Sequence, residues 1–516
     1  MRKLFSLILF LILFSAQLLA YDAEVGGIYY NFSGDEAEVT YKAENAGGNY
    51  SGNIIIPESF IYEGRTYYVT GIGNNAFQGS AMLNSVIIPV SVLRIGDWAF
   101  CECSGLTSIK LPEEVSYIGV GAFEGCSSIS SINIPGGVTS ISDQVFFGCS
   151  SLLSVTIPEG VTTIGKNSFY GCRNLTSVTI PENVTSIAFG AFRDCENIST
   201  FDIPDNLSQI GYDAFRGTSW FENQEDGMVY AGKVAYKYKG KMPEGTQVCI
   251  KEGTTGISQD AFNSCDGLIS VSIPRSVTYI AYSILYNCPK IVSMNVEQGN
   301  SVYDSRNSCN AIIETGTNIL IAGCRNTIIP EGILRIGDGA FWHTSSLASI
   351  AIPESVKSIG SRAFSGCRGL EFIAIPDSVT SIETEAFSET RSLKSICIGS
   401  GVTSIGASAF YNSNLTTIVC YAENPPSCGI NVFAGSTIEQ YGTLYVPKGA
   451  KEAYCVADVW RDFANIKDMA GTETIINEIR VDRPEIDNTI YDLQGRKVNS
   501  KSKKGIYIQD GKKVIR

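Results

Sequence analysis

The sequence predicts a solenoid, a curved stack of short coils built from parallel β-strands with little α-helix. Three observations predict it: a phenylalanine that returns every 23 residues, a short apolar strand pattern after each one, and a Gly- and Ser-rich remainder too short for a long helix. Because a repeat of this length buries too little surface to fold alone, each repeat must be one coil stacked on its neighbours.

The phenylalanines that mark the repeat, which we term anchor residues, form two series. The first series is unbroken: Phe77, Phe100, Phe123, Phe146, Phe169, Phe192 and Phe215. The second has one leucine in the place of a phenylalanine: Phe262, Leu285, Phe341, Phe364, Phe387, Phe410 and Phe433. Each buried apolar side chain contributes roughly 1.5–3 kcal/mol, and backbone ordering offsets most of that gain. Stability should therefore depend on contacts between coils.

One regular repeat runs from Phe169 to Ala191. Within it, Leu175–Ile180 reads L-x-x-V-x-I, the apolar spacing of a leucine-rich repeat strand. Pro181 follows this strand and suits its end, because proline has no amide hydrogen to donate. The remaining half of the coil predicts irregular or 3₁₀ backbone on the convex side.

The full pattern F-x-x-C-x-x-L-x-x-I-x-I-P-x-x-V-x-x-I-G-x-x-A resembles the BspA-like (Treponema-type) leucine-rich repeat family of bacterial surface proteins. The resemblance covers roughly residues 55 to 465. It implies a leucine-rich-repeat solenoid, and it implies adhesion to host matrix or to other cells.

Interruptions of the repeat divide the chain into predicted regions. Residues 21–55 alternate apolar and polar side chains and predict a β cap over the first coil. The solenoid spans residues 56–469, and two longer gaps between anchors predict β-hairpin inserts near 218–245 and 289–324. In a C-terminal cap near 434–469, a short amphipathic helix is expected to carry Tyr454, Val456, Val459 and Trp460.

The N-terminus has the pattern of a secretory signal peptide. Arg2 and Lys3 precede an apolar run in residues 1–20, which predicts cleavage between Ala20 and Tyr21. A retained membrane anchor is the alternative, but the apolar core is short for a full span. No other segment approaches the length needed to cross a membrane.

The C-terminus changes in character. Residues 470–488 are polar and acidic and predict a linker, whereas residues 489–516 are basic and contain two strand-like runs. This tail resembles the C-terminal sorting domains of the type IX secretion system, through G-x-Y-x-x followed by G-K-K and a terminal basic residue. An ordinary β-hairpin appendage is the alternative interpretation.

Composition limits the classes of partner. The net charge of −13 argues against nucleic acid and against anionic membrane surfaces as ligands. Charged residues make up only 18% of the chain, and Ser, Thr and Gly fill the surface positions, as is typical of extracellular proteins. We expect a secreted or surface-displayed monomer.

Sixteen cysteines in an exported protein would ordinarily suggest disulfides. Eight of them, however, follow an anchor by three residues: Cys103, Cys126, Cys149, Cys172, Cys195, Cys265, Cys288 and Cys367. Stacked coils would hold these side chains parallel, too far apart for bonding, so we interpret them as small buried apolar groups. Off-register pairs are better disulfide candidates, namely Cys309 with Cys324 and Cys420 with Cys428.

Catalysis, metal binding and cofactors find little support in the sequence. His343 is the only histidine, which excludes a two-histidine zinc motif, and a packing role suits it better than a catalytic one. Phosphate-binding loops, nucleophile elbows and calcium loops are absent from the sequence. A hydrolase using two carboxylates distant in sequence remains an alternative.

A binding surface is better motivated. The strand position just before the last inward Ile would face outward on the concave side, and we take these residues as a candidate binding face: Lys110, Asn133, Thr156, Thr179, Asp202 and Ser272. The alternative is that these side chains only keep the strand soluble. The aromatic first insert, with Trp220 and Tyr236 among others, is a rival contact site unless its rings pack onto the solenoid.

The sequence therefore predicts an exported bacterial leucine-rich repeat protein that is not an enzyme. Its expected ligand is a protein or glycoprotein on host or neighbouring cells, bound through the solenoid surface. The alternative is a structural or accessory envelope protein with no host ligand.

Overall fold

The structure is a computed structural model that describes residues 21–42, 48 and 50–469, with the backbone of four short strands between 490 and 515. The predicted signal peptide and the predicted linker lie outside the described residues. Two compact units divide the chain, one formed by Met1–Glu225 with Val229–Tyr236 and the other by Asp226–Met228 with Lys237–Arg516.

Most repeats contribute a strand to a long-strand row, which lies within the L-x-x-I-x-I pattern. In the first unit this row consists of Gly52–Ile55, Leu83–Ile87, Ser108–Lys110, Ser131–Asn133, Ser154–Thr156 and Ser177–Thr179. In the second unit it consists of Thr246–Cys249, Leu268–Ile273, Ser293–Val296, Phe372–Ala374, Ser395–Ile398, Thr417–Cys420, Thr443–Val446 and Ile466–Asp468.

A second, short-strand row is formed by the x-I dipeptide that follows the proline turn. In the first unit it consists of Arg65–Ile72, Arg94–Ile95, Tyr117–Ile118, Ser140–Ile141, Thr163–Ile164, Ser186–Ile187 and Gln209–Ile210. In the second unit it consists of Gly256–Ile257, Tyr279–Ile280, Arg335–Ile336, Ser358–Ile359, Ser381–Ile382, Ser404–Ile405 and Ser427–Cys428.

Pairing within both rows is parallel, and it keeps the sequence period. In the long-strand row Val155 lies opposite Val178, and in the short-strand row Ile164 lies opposite Ile187, so each partner lies one full repeat further along the chain. The structure is thus a parallel β-solenoid, which confirms the predicted fold class.

The anchor loop, which connects the two rows, adds a third ladder of backbone hydrogen bonds. The Phe169 N–H donates to the Ala191 carbonyl of the next coil at 2.8 Å. Two residues before and after this anchor, Asn167 and Gly171 have φ of 52° and 71°, a left-handed conformation that glycine and asparagine accept most readily. The loop is therefore irregular, and 3₁₀ helix occurs in the described residues only at Arg306–Ser308 and Trp460–Asp462.

The anchor rings stack on one another inside each unit, from Phe77 to Phe215 in the first and from Phe341 to Phe433 in the second. In the first unit successive rings are nearly parallel, with centroids 4.8 to 6.0 Å apart from Phe77 to Phe215. In the second unit the rings from Phe341 to Phe433 are 5.0 to 5.5 Å apart. These phenylalanine side chains are buried. Each coil thus completes its interior with the rings of its neighbours.

The cysteine ladder is buried as expected, but its thiols are hydrogen-bond donors as well as apolar groups. The Cys149 thiol donates to the Phe123 carbonyl of the preceding coil at 3.1 Å. Six others make the same contact at 2.8 to 3.2 Å: Cys103, Cys126, Cys172, Cys195, Cys288 and Cys367. Cys265 instead lies 3.9 Å from the Asn263 carbonyl of its own coil.

The N-terminal region begins as an antiparallel sheet and joins the solenoid within the range predicted as cap. Ala23–Val25, Ile28–Ser33 and Glu36–Thr40 are antiparallel, and Ser59–Tyr62 forms a hairpin with Arg65–Ile72. Gly52–Ile55 already pairs in parallel with Leu83–Ile87, so the long-strand row starts before residue 56.

The first insert contains a helix, Ser219–Glu222, and two strands, Gly227–Ala231 and Val234–Lys239. The Phe215 N–H, which would otherwise point to a next coil, donates to the Tyr236 hydroxyl at 3.1 Å. Trp220 packs edge-on against Phe215 with centroids 5.1 Å apart. These rings pack onto the last anchor of the first unit, in agreement with the packing interpretation.

The second insert consists of Tyr303–Asp304, Ala311–Glu314 and Ile319–Gly323, which pair antiparallel in that order. Its last strand then pairs in parallel with Arg335–Ile336 and so serves as a rung of the short-strand row. Gly323 stands where an anchor would be: its N–H donates to the Ala340 carbonyl at 2.8 Å, and a Cβ there would lie 2.1 Å from the Phe341 ring.

The C-terminal cap contains two short helices, Ile438–Tyr441 and Lys451–Val456, followed by the 3₁₀ turn noted above. Tyr454 and Trp460 are fully buried, and the Trp460 indole N–H donates to the Pro426 carbonyl at 2.8 Å. The prediction of one amphipathic helix through Val459 is wrong, because the helix ends at Val456, which is 76% exposed, and Val459 has a φ of 71°.

The C-terminal tail contains Ile490–Tyr491, Lys497–Val498, Ile506–Gln509 and Lys512–Ile515, which form a four-stranded antiparallel sheet. Each of the two strand-like runs seen in the sequence therefore contains two strands. Across the part of the chain that the structure describes, no helix has the length and apolar character needed to cross a membrane.

Replacing an interior anchor should test the shared core. Phe169→Ala removes a buried ring that stacks at 5.4 Å on Phe146 and 5.2 Å on Phe192, so we expect a loss of about 3–5 kcal/mol in the free energy of unfolding, measured by urea titration. Phe189→Ala, at a position 36% exposed, is the control and should cost about 1 kcal/mol or less. Equal losses would contradict a core built by stacking.

Candidate binding face

The outward side of the long-strand row is a face of exposed polar side chains. In Ser154–Thr156 the central Val155 is 6% exposed and points inward, while its two neighbours are exposed. Ser108–Lys110, Ser131–Asn133 and Ser177–Thr179 have the same alternation. Because side chains alternate sides along a strand, the pattern fixes which residues a ligand could reach.

The six candidate residues occupy one strand position, distributed over the two units. In the first unit Asn133, Thr156 and Thr179 lie in register, and Asp202 joins Thr179 through a parallel bridge. Lys110 holds the same position one coil earlier, opposite Ile87. In the second unit, Ser272 lies between Cys249 and Asn295.

The side chains of this face carry little charge. Among the six candidates only Lys110 and Asp202 are ionisable, and the Asn133 amide donates to the Glu113 carboxylate at 3.1 Å. Serine occupies the neighbouring outward position at Ser131, Ser154 and Ser177. The arrangement can offer rows of hydrogen-bonding groups at the spacing of adjacent strands, about 4.8 Å.

Towards the C-terminal end of the second unit the same position carries apolar residues, most of which sequence reasoning missed. Ala374, Cys397, Val419 and Tyr445 follow one another in register. The step from Cys397 to Val419 is shorter than the regular repeat and the step from Val419 to Tyr445 is longer, which removed Val419 and Tyr445 from a fixed-period search. A search for one residue between two apolar or cysteine residues, as in I-C-I (396–398), I-V-C (418–420) and L-Y-V (444–446), without a fixed period, could have found them.

All sixteen cysteines have free thiols in the structure. The candidate pair Cys309 and Cys324 is buried, with the Cys324 thiol 3.5 Å from the Asn310 carbonyl. Cys420 lies 3.2 Å from the Tyr454 hydroxyl, and Cys428 is partly exposed 3.7 Å from the Pro426 carbonyl. Both pairings stay predictions.

Burial makes most of these thiols poor nucleophiles. It raises the pKa of Cys149 and of Cys103 to about 12, far above the usual range for a thiol. It does the same for Cys428. The thiolate is the reactive form, so these cysteines should react very slowly at neutral pH. Cys249 and Cys455, in contrast, are exposed.

Within the described residues, no group of three or more His, Cys, Asp or Glu side chains is arranged to hold a metal ion. His343 is half-buried at a left-handed position of an anchor loop, with its ring edge-on to Tyr286 at 4.8 Å. Burial and the nearby Arg368 lower its pKa, so at neutral pH it is an uncharged packing residue.

The family follows from a match over most of the chain. The model of the BspA type leucine rich repeat region (6 copies) matches residues 70–188, 162–225, 232–317 and 322–439. This chain belongs to the BspA-type leucine-rich repeat family. A search among curated proteins gave no match.

Several solved structures are similar to the chain. A leucine-rich repeat protein from Bacteroides ovatus is 24% identical, with 87% of this chain and 100% of that chain covered and a TM-score of 0.36. A leucine rich cell surface protein from Faecalibacterium prausnitzii is 24% identical, covering 90% and 98%, with a TM-score of 0.35. The T. pallidum leucine rich repeat protein is 29% identical over 38% of this chain and 88% of that chain, with a TM-score of 0.33.

Thiol accessibility gives a direct test of the buried ladder. An aromatic disulfide reagent at pH 7 should react quickly with two thiols of the folded protein, Cys249 and Cys455. After denaturation it should react with all sixteen thiols. Twelve thiols after denaturation would instead support both predicted disulfides. Rapid reaction of ladder cysteines in the folded protein would contradict their burial.

Proposed function

We propose that this protein is exported by a bacterium and binds macromolecules on host or neighbouring cells through the outward face of its long-strand row. The observation that carries the proposal is the registered column of exposed side chains along this face, in both units. Solenoids present extended surfaces of this kind, in which each coil adds one set of contacts. The family resemblance to bacterial surface proteins supports the same function.

Export is supported by the two termini and by the surface composition. The signal-like residues 1–20 and the basic tail of residues 489–516 favour secretion, with type IX sorting as the proposed route. The outward strand positions are filled mainly by Ser, Thr and Asn. These side chains are hydrated without carrying charge, so their interaction with water depends little on the salt concentration outside the cell.

A binding role without catalysis is supported by the chemistry of the described residues. Most cysteines are buried with raised pKa values, and the single histidine packs against an aromatic ring. These features favour a protein that binds a partner through many contacts over a large surface and not through a reactive centre. Its partner class is a protein or glycoprotein, and we propose that it acts as a monomer.

Arginine substitutions should locate the contact face. In the mature chain, Thr156→Arg with Thr179→Arg in the first unit, and Ser272→Arg with Ser395→Arg in the second, place long charged side chains on the long-strand row. At least one pair should weaken binding to immobilised matrix glycoproteins or whole cells by about tenfold or more, measured by surface plasmon resonance. The matched control is Thr163→Arg with Ser186→Arg on the short-strand row.

Three results would contradict the proposal. One is the absence of binding by the unmodified mature chain across matrix proteins, glycoproteins and cells. Another is binding that none of the long-strand substitutions changes. The third is equal weakening by the short-strand control.

Export by the tail is tested separately. Removal of residues 489–516 should leave the protein in the periplasm, because the proposed sorting signal is lost while the signal peptide remains. Protease accessibility on intact cells, compared with the full chain, measures this. Unchanged surface exposure would show that the tail is a simple appendage.

A further inference from the structure

The C-terminal part of the long-strand row, in the second unit, breaks the alternation between buried and exposed residues. In the first unit the outward Thr156 and Thr179 are exposed. In Ser395–Ile398 and Thr417–Cys420, however, the residues at the same position, Cys397 and Val419, are 9% and 0% exposed. This part of the sheet is therefore covered on its outward side as well as on its core side.

The cover consists of four side chains packed around Cys397 and Val419. They are Phe372, Tyr421, Tyr445 and Met469, each partly exposed. Tyr445 lies opposite Val419 in the sheet, and the Tyr421 N–H donates to the Ile398 carbonyl at 2.9 Å, which holds its backbone against the neighbouring strand. We term Phe372, Tyr421 and Tyr445 the aromatic platform.

The side chains of the platform cover the outward side of the sheet. Val419 retains no exposed surface although it points outward, because these side chains pack around it. The same rings remain partly exposed, which leaves surface open to solvent above the sheet. Rings held in this way lose little conformational freedom when a ligand stacks on them, because packing already restricts them.

The surroundings of the platform are polar and combine neutral hydroxyl groups with a carboxylate and a cation. Ser395, Thr417 and Thr443 lie in register beside it and place hydroxyl groups along one side. Burial, with smaller contributions from the Cys397 thiol and the Asp377 carboxylate, raises the pKa of Tyr421, so its phenol stays neutral and can both donate and accept. Lys467 is the exposed cation next to Tyr445 in the row.

We propose that the aromatic platform binds a neutral glycan chain, an inference that rests on the proposed binding function and names its ligand class. A sugar ring has an apolar face of C–H groups that can stack on an aromatic ring, and hydroxyl groups at its edge that hydrogen-bond to Ser, Thr and Tyr hydroxyls. The protein's net charge of −13 disfavours acidic glycans and nucleic acids, which also contain stacking rings. Tyrosine is also frequent in protein hot spots. The row of hydroxyl groups at Ser395, Thr417 and Thr443 beside the rings favours the glycan, because it offers hydrogen bonds to sugar hydroxyl groups along the stacking surface.

The test measures binding of the mature full chain to an array of neutral oligosaccharides, namely β-glucan, mannan, galactan and N-acetylhexosamine chains, with heparin as the acidic comparison. Tyr445→Ala and Tyr421→Ala should each weaken binding by about tenfold or more. Tyr445→Phe and Tyr421→Phe keep the rings and should retain most of the affinity. Tyr441→Ala, at a position 78% exposed outside the platform, is the matched control.

The folding of each variant is checked by its urea midpoint, since Tyr445→Ala uncovers Val419. A variant that loses binding while its midpoint stays close to that of Tyr445→Phe supports the platform. If the alanine variants do not fold, Tyr445→Lys and Tyr421→Lys, which keep a long apolar stem but no ring, replace them with the same expected loss.

A second experiment separates the two proposals. Enzymatic removal of glycans from an immobilised host glycoprotein should abolish binding. If binding to the deglycosylated protein persists, or if the tyrosine variants bind normally, the glycan inference is overturned while the proposed function stands. If the unmodified chain binds neither glycans nor proteins nor cells, both proposals fail.

Discussion

The stack of anchor rings is the contact on which the rest of the structure depends. A ring such as Phe169 has no partner of its own size within its coil and finds two in the adjoining coils, at 5.4 and 5.2 Å. The other inward side chains of the regular coils recur with the same repeat step. The backbone hydrogen bonds of the strands and anchor loops then satisfy polar groups that this stacking has removed from water.

The residue three positions after the anchor shows how a small side chain controls coupling between coils. Where it is cysteine, the thiol reaches back to the carbonyl of the preceding anchor in every case but Cys265, as Cys149 does to Phe123 at 3.1 Å. Where it is threonine, the hydroxyl bonds the carbonyl of its own anchor: Thr218 to Phe215 at 2.8 Å and Thr390 to Phe387 at 2.7 Å. Cysteine at this position therefore usually links coils, whereas Thr218 and Thr390 close a turn within one.

Much of this architecture could be predicted from the sequence, because it follows from a fixed period. The anchors, the inward Leu and Ile positions and the burial of ladder cysteines such as Cys103 all recur with that period. The outward exposure of Thr156 and Thr179 follows from strand alternation. Two kinds of feature could not be predicted. One is a local departure from the period, and the other is the choice of hydrogen-bond acceptor for a side chain such as a thiol, which a residue pattern does not contain.

Three departures illustrate the limit. The lengthened step to Thr443–Val446 hid Tyr445 from the aligned column, so the apolar end of the outward face was missed. Val456 satisfied a helical periodicity, yet the helix ends there, and its side chain is 76% exposed. The direction of the thiol hydrogen bonds depends on how closely the next coil approaches, which is a property of packing.

The hairpin that ends at Gly323 shows how this molecule can accommodate additional sequence. Its last strand pairs on one side with Ala311–Glu314 and on the other with Arg335–Ile336, so the excursion rejoins the ladder as an ordinary rung. The vacancy left by the missing anchor side chain is taken up by the neighbouring phenylalanine. A different hairpin inserted at this junction would therefore replace one anchor ring, and the following coils would keep their register.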